Sequence, residues 1–231
     1  MERSTVILPS IDWQKFVGSI VWLDYDGSLE KYMFEDLSIL ASNLKPGSFV
    51  IITCNGTLTT YKGKQDVPDL DKFRKDFDEY VPLHLSPQDL HSINASKTIR
   101  RMFIDCINRE FESINAPFDE QQRYEFVQLF NLCYQDNSRM FTFGGFISFQ
   151  KDLNEYKSKT IFNSQTVQLG EDQIEIKAPI ITNKEIDLMN KHLPCAEDEF
   201  MDCIEISFIP EEFRRSFYKY YRQFPNFMEV S

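Results

Sequence analysis

Residues 19–54 constrain the fold more than any other stretch of this chain. SIVWLD (19–24) is a short apolar run rich in β-formers, which reads as a strand buried on both faces. MFEDLSILASNL follows and places Phe34, Leu37, Ala41 and Leu44 at helical spacing, so that one apolar stripe runs along a helix. Lys45-Pro46-Gly47 stops that helix, because proline cannot continue it and glycine supplies the turn. FVIITC (49–54) is then a second continuous apolar strand. Strand, helix, tight turn and strand make a right-handed βαβ unit, the building block of a parallel sheet, and they commit the chain to an α/β fold.

The remaining patterns extend this frame. Residues 56–96 are polar and loop-rich around one short helix, LDKFRKDFDEYV, and read as a lid-like insertion. SKTIRRMFIDCINREFESI carries Ile99, Met102, Phe103, Cys106, Ile107, Phe111 and Ile114 on one helical face. EFVQLFNLCYQD and MFTFGGFISF are two strands, antiparallel through the turn Asp136-Asn137-Ser138. QIEIKAP is a short alternating strand, and Thr182 with Glu185 forms a capping box that opens a helix through His192. IPEEFRRSFYKYYRQFPNF starts a last helix at Pro210 and repeats aromatics at 213, 217, 220, 221 and 224, a core-packing stripe.

Charge and composition exclude several classes. A net charge of −11 over 231 residues argues against a phosphate-tracking surface and leaves no strong nucleic-acid signal. No apolar run approaches the roughly 20 residues of a membrane span, and MERSTVILPSIDW lacks a signal-peptide layout, so a cytoplasmic protein is expected. The 5 cysteines are widely spaced and never form CxxC, the usage of a reducing compartment. The 3 histidines form no HxH or HExxH pattern, and no metal is expected.

Asp24-Tyr25-Asp26-Gly27 closes the first strand and admits three readings. Asp and Gly commonly make a plain polar turn after a strand. DxDG after an apolar strand also resembles the haloacid-dehalogenase-type phosphatases, in which Asp24 would attack phosphorus, Asp26 would act as acid and base, and both would help hold magnesium. That mechanism needs a phosphate-neutralising lysine and a later acidic pair, and LGEDQ (169–173) is a poor candidate for the pair. The third resemblance is to class I methyltransferases, whose fourth strand ends in an acidic motif followed by a helix and an LxPG turn, the order of LDYDGSL and NLKPGSFVIIT here.

The third resemblance extends along the chain. IVWLDYDGSL, LKPGSFVIITCNG, QLFNLCYQDNSRMFTFGG, APIITNKEIDLMNKHLP and IPEEFRRSFYKYYRQFPNF together resemble the carboxyl-terminal portion of a bacterial family of O-methyltransferase-like proteins. The resemblance implies part of a Rossmann-like sheet over residues 1–150, a family-specific α+β extension over 151–231, and S-adenosylmethionine as cofactor. It also implies that the glycine-rich half which grips the cofactor is missing, since the 8 glycines form no GxGxG and Gly144-Gly145 reads as a bulge or close packing. A sheet lacking that half leaves an edge open to a protein partner or to self-association. Asp24 or Asp26 is the expected base or orienting carboxylate for an unidentified methyl acceptor, and Tyr25 and Asn55 are expected crevice residues. A noncatalytic interaction module is the rival expectation.

Overall fold

A computed structural model describes residues 4–63, 67–91, 93–135, 138–159, 162, 164, 167–176 and 181–222 of the chain. Its helices are α1 (Ser4–Ser10), α2 (Lys31–Asn43), α3 (Leu70–Phe77), α4 (Ile93–Asn115), α5 (Leu153–Lys157), α6 (Asn183–Asn190), α7 (Glu197–Met201) and α8 (Glu211–Tyr220). Its strands are β1 (Ile20–Asp24), β2 (Phe49–Asn55), β3 (Tyr124–Gln135), β4 (Arg139–Phe149) and β5 (Ile174–Ile176). Asp136 and Asn137 of the expected hairpin turn and Phe224 of the aromatic series lie outside the described residues.

The strands form one mixed sheet in the order β1-β2-β4-β3-β5, and the fold is α/β. β1 and β2 pair in parallel with Leu23 opposite Ile52, as the βαβ reading requires, while β4 runs antiparallel to both β2 and β3. Between them α2 buries Phe34, Leu37 and Ala41, and Leu44 at its end is buried too, together with Met33 and Leu40. Gly47 has a φ of 92°, a left-handed conformation that a side chain would strain, so the turn returning to β2 uses glycine for its backbone freedom.

One face of the sheet carries Leu23, Val50, Ile52, Cys54, Phe141 and Phe143, which pack with α2 and α4 in the main core. α4 contributes Ile99, Met102, Phe103, Cys106, Ile107 and Phe111, the stripe read from its spacing. The segment 56–96 adds Leu58, Tyr61, Phe73, Phe77, Leu85 and Leu90 to the same core. On the opposite face, Val127, Leu129 and Phe146 pack with residues from α5 and the segment after it.

The expectation that β1 is buried on both faces is corrected: Ile20 is 77% and Trp22 61% exposed, while Leu23 is buried. Val21 and Leu23 of β1 join the helix-side core, whereas the cluster on the opposite face of the sheet includes no β1 residue. An unbroken apolar run looks the same in sequence whether one face or two are covered.

The described chain divides into two compact units, residues 1–175 and 176–231. The second has its own core of Met189, Phe200, Ile206, Ile209 and Phe217. Its first helix, α6, opens on the expected capping box: Thr182 Oγ1 accepts from the Glu185 amide, and Glu185 Oε2 accepts from the Thr182 amide at 2.7 Å. That helix ends at Asn190 rather than His192.

Candidate functional site

Asp24 is the last residue of β1, and the turn that follows carries Tyr25, Asp26 and Gly27. Two backbone bonds tie this turn to the end of β2: the Tyr25 amide donates to Thr53 O at 2.9 Å, and the Asn55 amide donates to Gly27 O at 3.0 Å. The carboxyl ends of the two parallel strands therefore meet, in the position where open α/β sheets hold ligands. Asp24 and Asp26 are both exposed there.

Tyr25 points the other way. It is half-buried, and its hydroxyl donates to Asp36 Oδ2 at 2.6 Å. Asp36 lies on α2 and is fully buried; the Ser4 hydroxyl of α1 donates to the same oxygen at 2.5 Å. Burial, reinforced by the Asp36 carboxylate, raises the Tyr25 pKa well above its ordinary value, so the phenol remains a donor. This arrangement anchors the turn from beneath and leaves Asp24 and Asp26 on its outer side.

Asn55 is spent locally as well, because its Oδ1 accepts from the Thr57 amide at 2.9 Å and the Thr57 hydroxyl at 2.8 Å. This Asx-type turn shapes the loop after β2. Thr57 in turn lines a cavity of about 480 Å³ with Ile93, Gln135, Arg139 and Glu175. Arg139 donates to Glu175 at 2.7 Å across it, while its buried Nε has no hydrogen-bond partner among the described residues.

Asp36, Arg139 and Glu175 were not among the residues singled out from sequence. Asp36 had a signal: it sits three residues after Met33 and four before Leu40, on the arc that α2 buries, and a carboxylate on such an arc needs donors. Arg139 and Glu175 had none, since they are 36 residues apart and lie on β4 and β5, strands that β3 separates in the sheet.

Other chemistries find less support. Burial pushes the Cys54 thiol up to about 12 and the Cys106 thiol up to about 11, so neither is a ready thiolate nucleophile. Among the described residues no group of three or more His, Cys, Asp or Glu could hold a metal ion. No helix among them is long and apolar enough to cross a membrane.

A glycine-lined cofactor grip is also not formed by the glycines present. A Cβ on Gly145 would lie 2.0 Å from Val127 O, and one on Gly144 2.7 Å from Val50 O, so these two serve the close approach of neighbouring strands. The register shift between Gln128 and Phe130 places a bulge there, in agreement with the reading of the pair as a packing feature. Gly27 is open, with nothing within 4 Å of its would-be Cβ, and Gly56 abuts Phe141 at 3.0 Å. Gly144 and Gly145 are thus taken up by strand packing and form no glycine turn for S-adenosylmethionine.

No curated protein and no solved structure matches the chain. A family model described as "Putative O-methyltransferase" matches residues 1–231, so the chain belongs to that family, and the match is not confined to a carboxyl-terminal portion of the chain.

Proposed function

We propose that this protein serves O-methyl transfer, with Asp24 or Asp26 receiving or orienting the acceptor hydroxyl. The family match over residues 1–231 carries the reading. The two exposed carboxylates at the carboxyl end of β1 support it. A carboxylate there would accept a hydrogen bond from the acceptor O–H, align its oxygen and take its proton. Tyr25 holds the turn through Asp36, and the Asn55 turn holds the adjoining loop.

S-adenosylmethionine is the methyl donor such families imply, and it would supply an electrophilic methyl. Because the glycines here do not make the usual grip, the chemistry assigned to this chain stays on the acceptor side. A cytoplasmic location accompanies the reading, supported by 5 cysteines that are all free.

Calorimetry with S-adenosylmethionine on the full chain, followed by a methyl-release assay, tests the reading. Cofactor binding is expected to survive Asp24→Asn or Asp26→Asn, while the variant that removes the base loses about 10²–10⁴-fold in turnover. Magnesium-dependent phosphate release abolished by Asp24→Asn would overturn the proposal. Failure to bind the cofactor would favour a noncatalytic interaction module, a reading supported by the exposed Ile20 and Trp22 on the outermost strand.

A further inference from the structure

We propose that the free edge of β1 joins a second copy of this chain, strand to strand across a two-fold axis centred on Trp22. The inference rests on the surface of β1 and is independent of the methyltransferase reading. β1 is at the end of the strand order, and no strand covers its outer edge among the described residues. The Phe49 amide donates to Ser19 O at 2.7 Å and the Tyr25 amide to Thr53 O at 2.9 Å, which fixes the alternation along the strand. By that alternation Ile20, Trp22 and Asp24 direct their N–H and C=O groups away from β2, toward the open edge.

The same strand and its approach carry large exposed apolar side chains: Phe16 at 48%, Val17 at 91%, Ile20 at 77% and Trp22 at 61%. Parallel sheets are ordinarily covered on both faces, and edge strands are ordinarily protected by proline, lysine or a bulge. IVWLD has none of these, and its pairing with β2 runs without a register shift. Unprotected backbone and exposed aromatic surface on one edge are the features of a strand that adds to another.

Charge selects the occupant. The approach to β1 carries Lys15 and also Lys45, whose Nζ donates to Gln14 O at 2.9 Å and Phe16 O at 3.1 Å; Asp12 offsets one of these charges at 3.2 Å from Lys15. The exit carries the exposed carboxylates Asp24, Asp26 and Glu30. A uniformly basic or acidic strand would meet repulsion at one end. A second copy laid antiparallel sets the lysine end against the acidic end twice. In that register Trp22 faces Trp22 of the second copy and Ile20 faces Asp24, so each copy lends an apolar wall beside the other's candidate carboxylate.

Sedimentation velocity on the full chain, from about 1 to about 100 µM, tests this. A mass approaching twice 27.3 kDa is expected with rising concentration. Trp22 emission should shift to the blue as the dimer forms, against a constant background from buried Trp13. Trp22→Lys and Trp22→Glu place like charges across the axis, and each alone should sediment as a monomer with unchanged circular dichroism. Mixing the two in equal amounts should restore the dimer, a result that a merely unfolded variant cannot give. A wild-type monomer at every concentration overturns the proposal, and so does a dimer indifferent to both substitutions or variants that fail to pair when mixed.

Discussion

At the residue scale, the most informative side chain is Asp36, a fully buried carboxylate whose Oδ2 takes both the Tyr25 and Ser4 hydroxyls while Oδ1 has no partner among the described residues. Tyr25→Phe removes one of those donors without changing the shape of the ring. It should destabilise the chain by about 1.5–3 kcal/mol, the worth of a hydrogen bond to a charged group, read as a lower denaturation midpoint at constant slope. The pH dependence has a definite sign. Folding raises the Tyr25 pKa above its unfolded value, so the native state holds this proton more tightly. Its stabilisation is complete below about pH 10, where the unfolded phenol begins to ionise, and declines as the pH rises above it. The wild-type minus Tyr25→Phe difference in stability should therefore shrink under alkaline conditions; a difference constant up to pH values near 12 would contradict the raised pKa. The sequence placed Asp24 and Asp26 at a strand end correctly, because Gly27 and the preceding apolar run define that end locally. It did not reveal the direction of Tyr25, which is set by Asp36, 11 residues away on the next helix.

At the element scale, the β3–β4–β2 pairing depends on two glycines that have no room for a methyl group. Gly145→Ala would press a Cβ against the Val127 carbonyl, which is backbone and cannot rotate away. Loss of about 1–3 kcal/mol or more is expected, as for other overpacked sites. Gly27→Ala, with open space around it, should change stability by less than about 0.5 kcal/mol and serves as the control. Equal melting temperatures for the two variants would show that β3 can yield at its bulge. The elements themselves were largely legible: the stripes of α2 and α4, the Lys45-Pro46-Gly47 stop and the Thr182–Glu185 box are all local patterns, and each stands where its spacing put it. The covering of β1 was not, because hydrophobicity records that a surface avoids water without recording what shields it. Ile20 and Trp22 look identical in sequence whether the shield is a helix of the same chain or a second molecule.

At the scale of the whole molecule, each of the two compact units has its own apolar core, one around Phe34, Phe77 and Phe103 and one around Phe200 and Phe217. The smaller spans residues 176–231, a length at which a single core is marginal because too little of the chain's surface can be buried. Its stability leans on few side chains, and Phe217, at 1% exposure, is central among them. Phe217→Ala should cost about 3–5 kcal/mol, comparable with everything such a unit has, whereas the same loss at Phe77 falls on a much larger core. Native-state hydrogen exchange separates the two effects. Phe217→Ala is expected to erase protection in α6 and α8 while the amides of β2 and β4 keep theirs. Phe77→Ala should lower protection in β2, β4 and α4 first. Uniform loss of protection along the chain in both variants would mean that the units unfold as one cooperative body, and separate cores would then not mean separate stabilities.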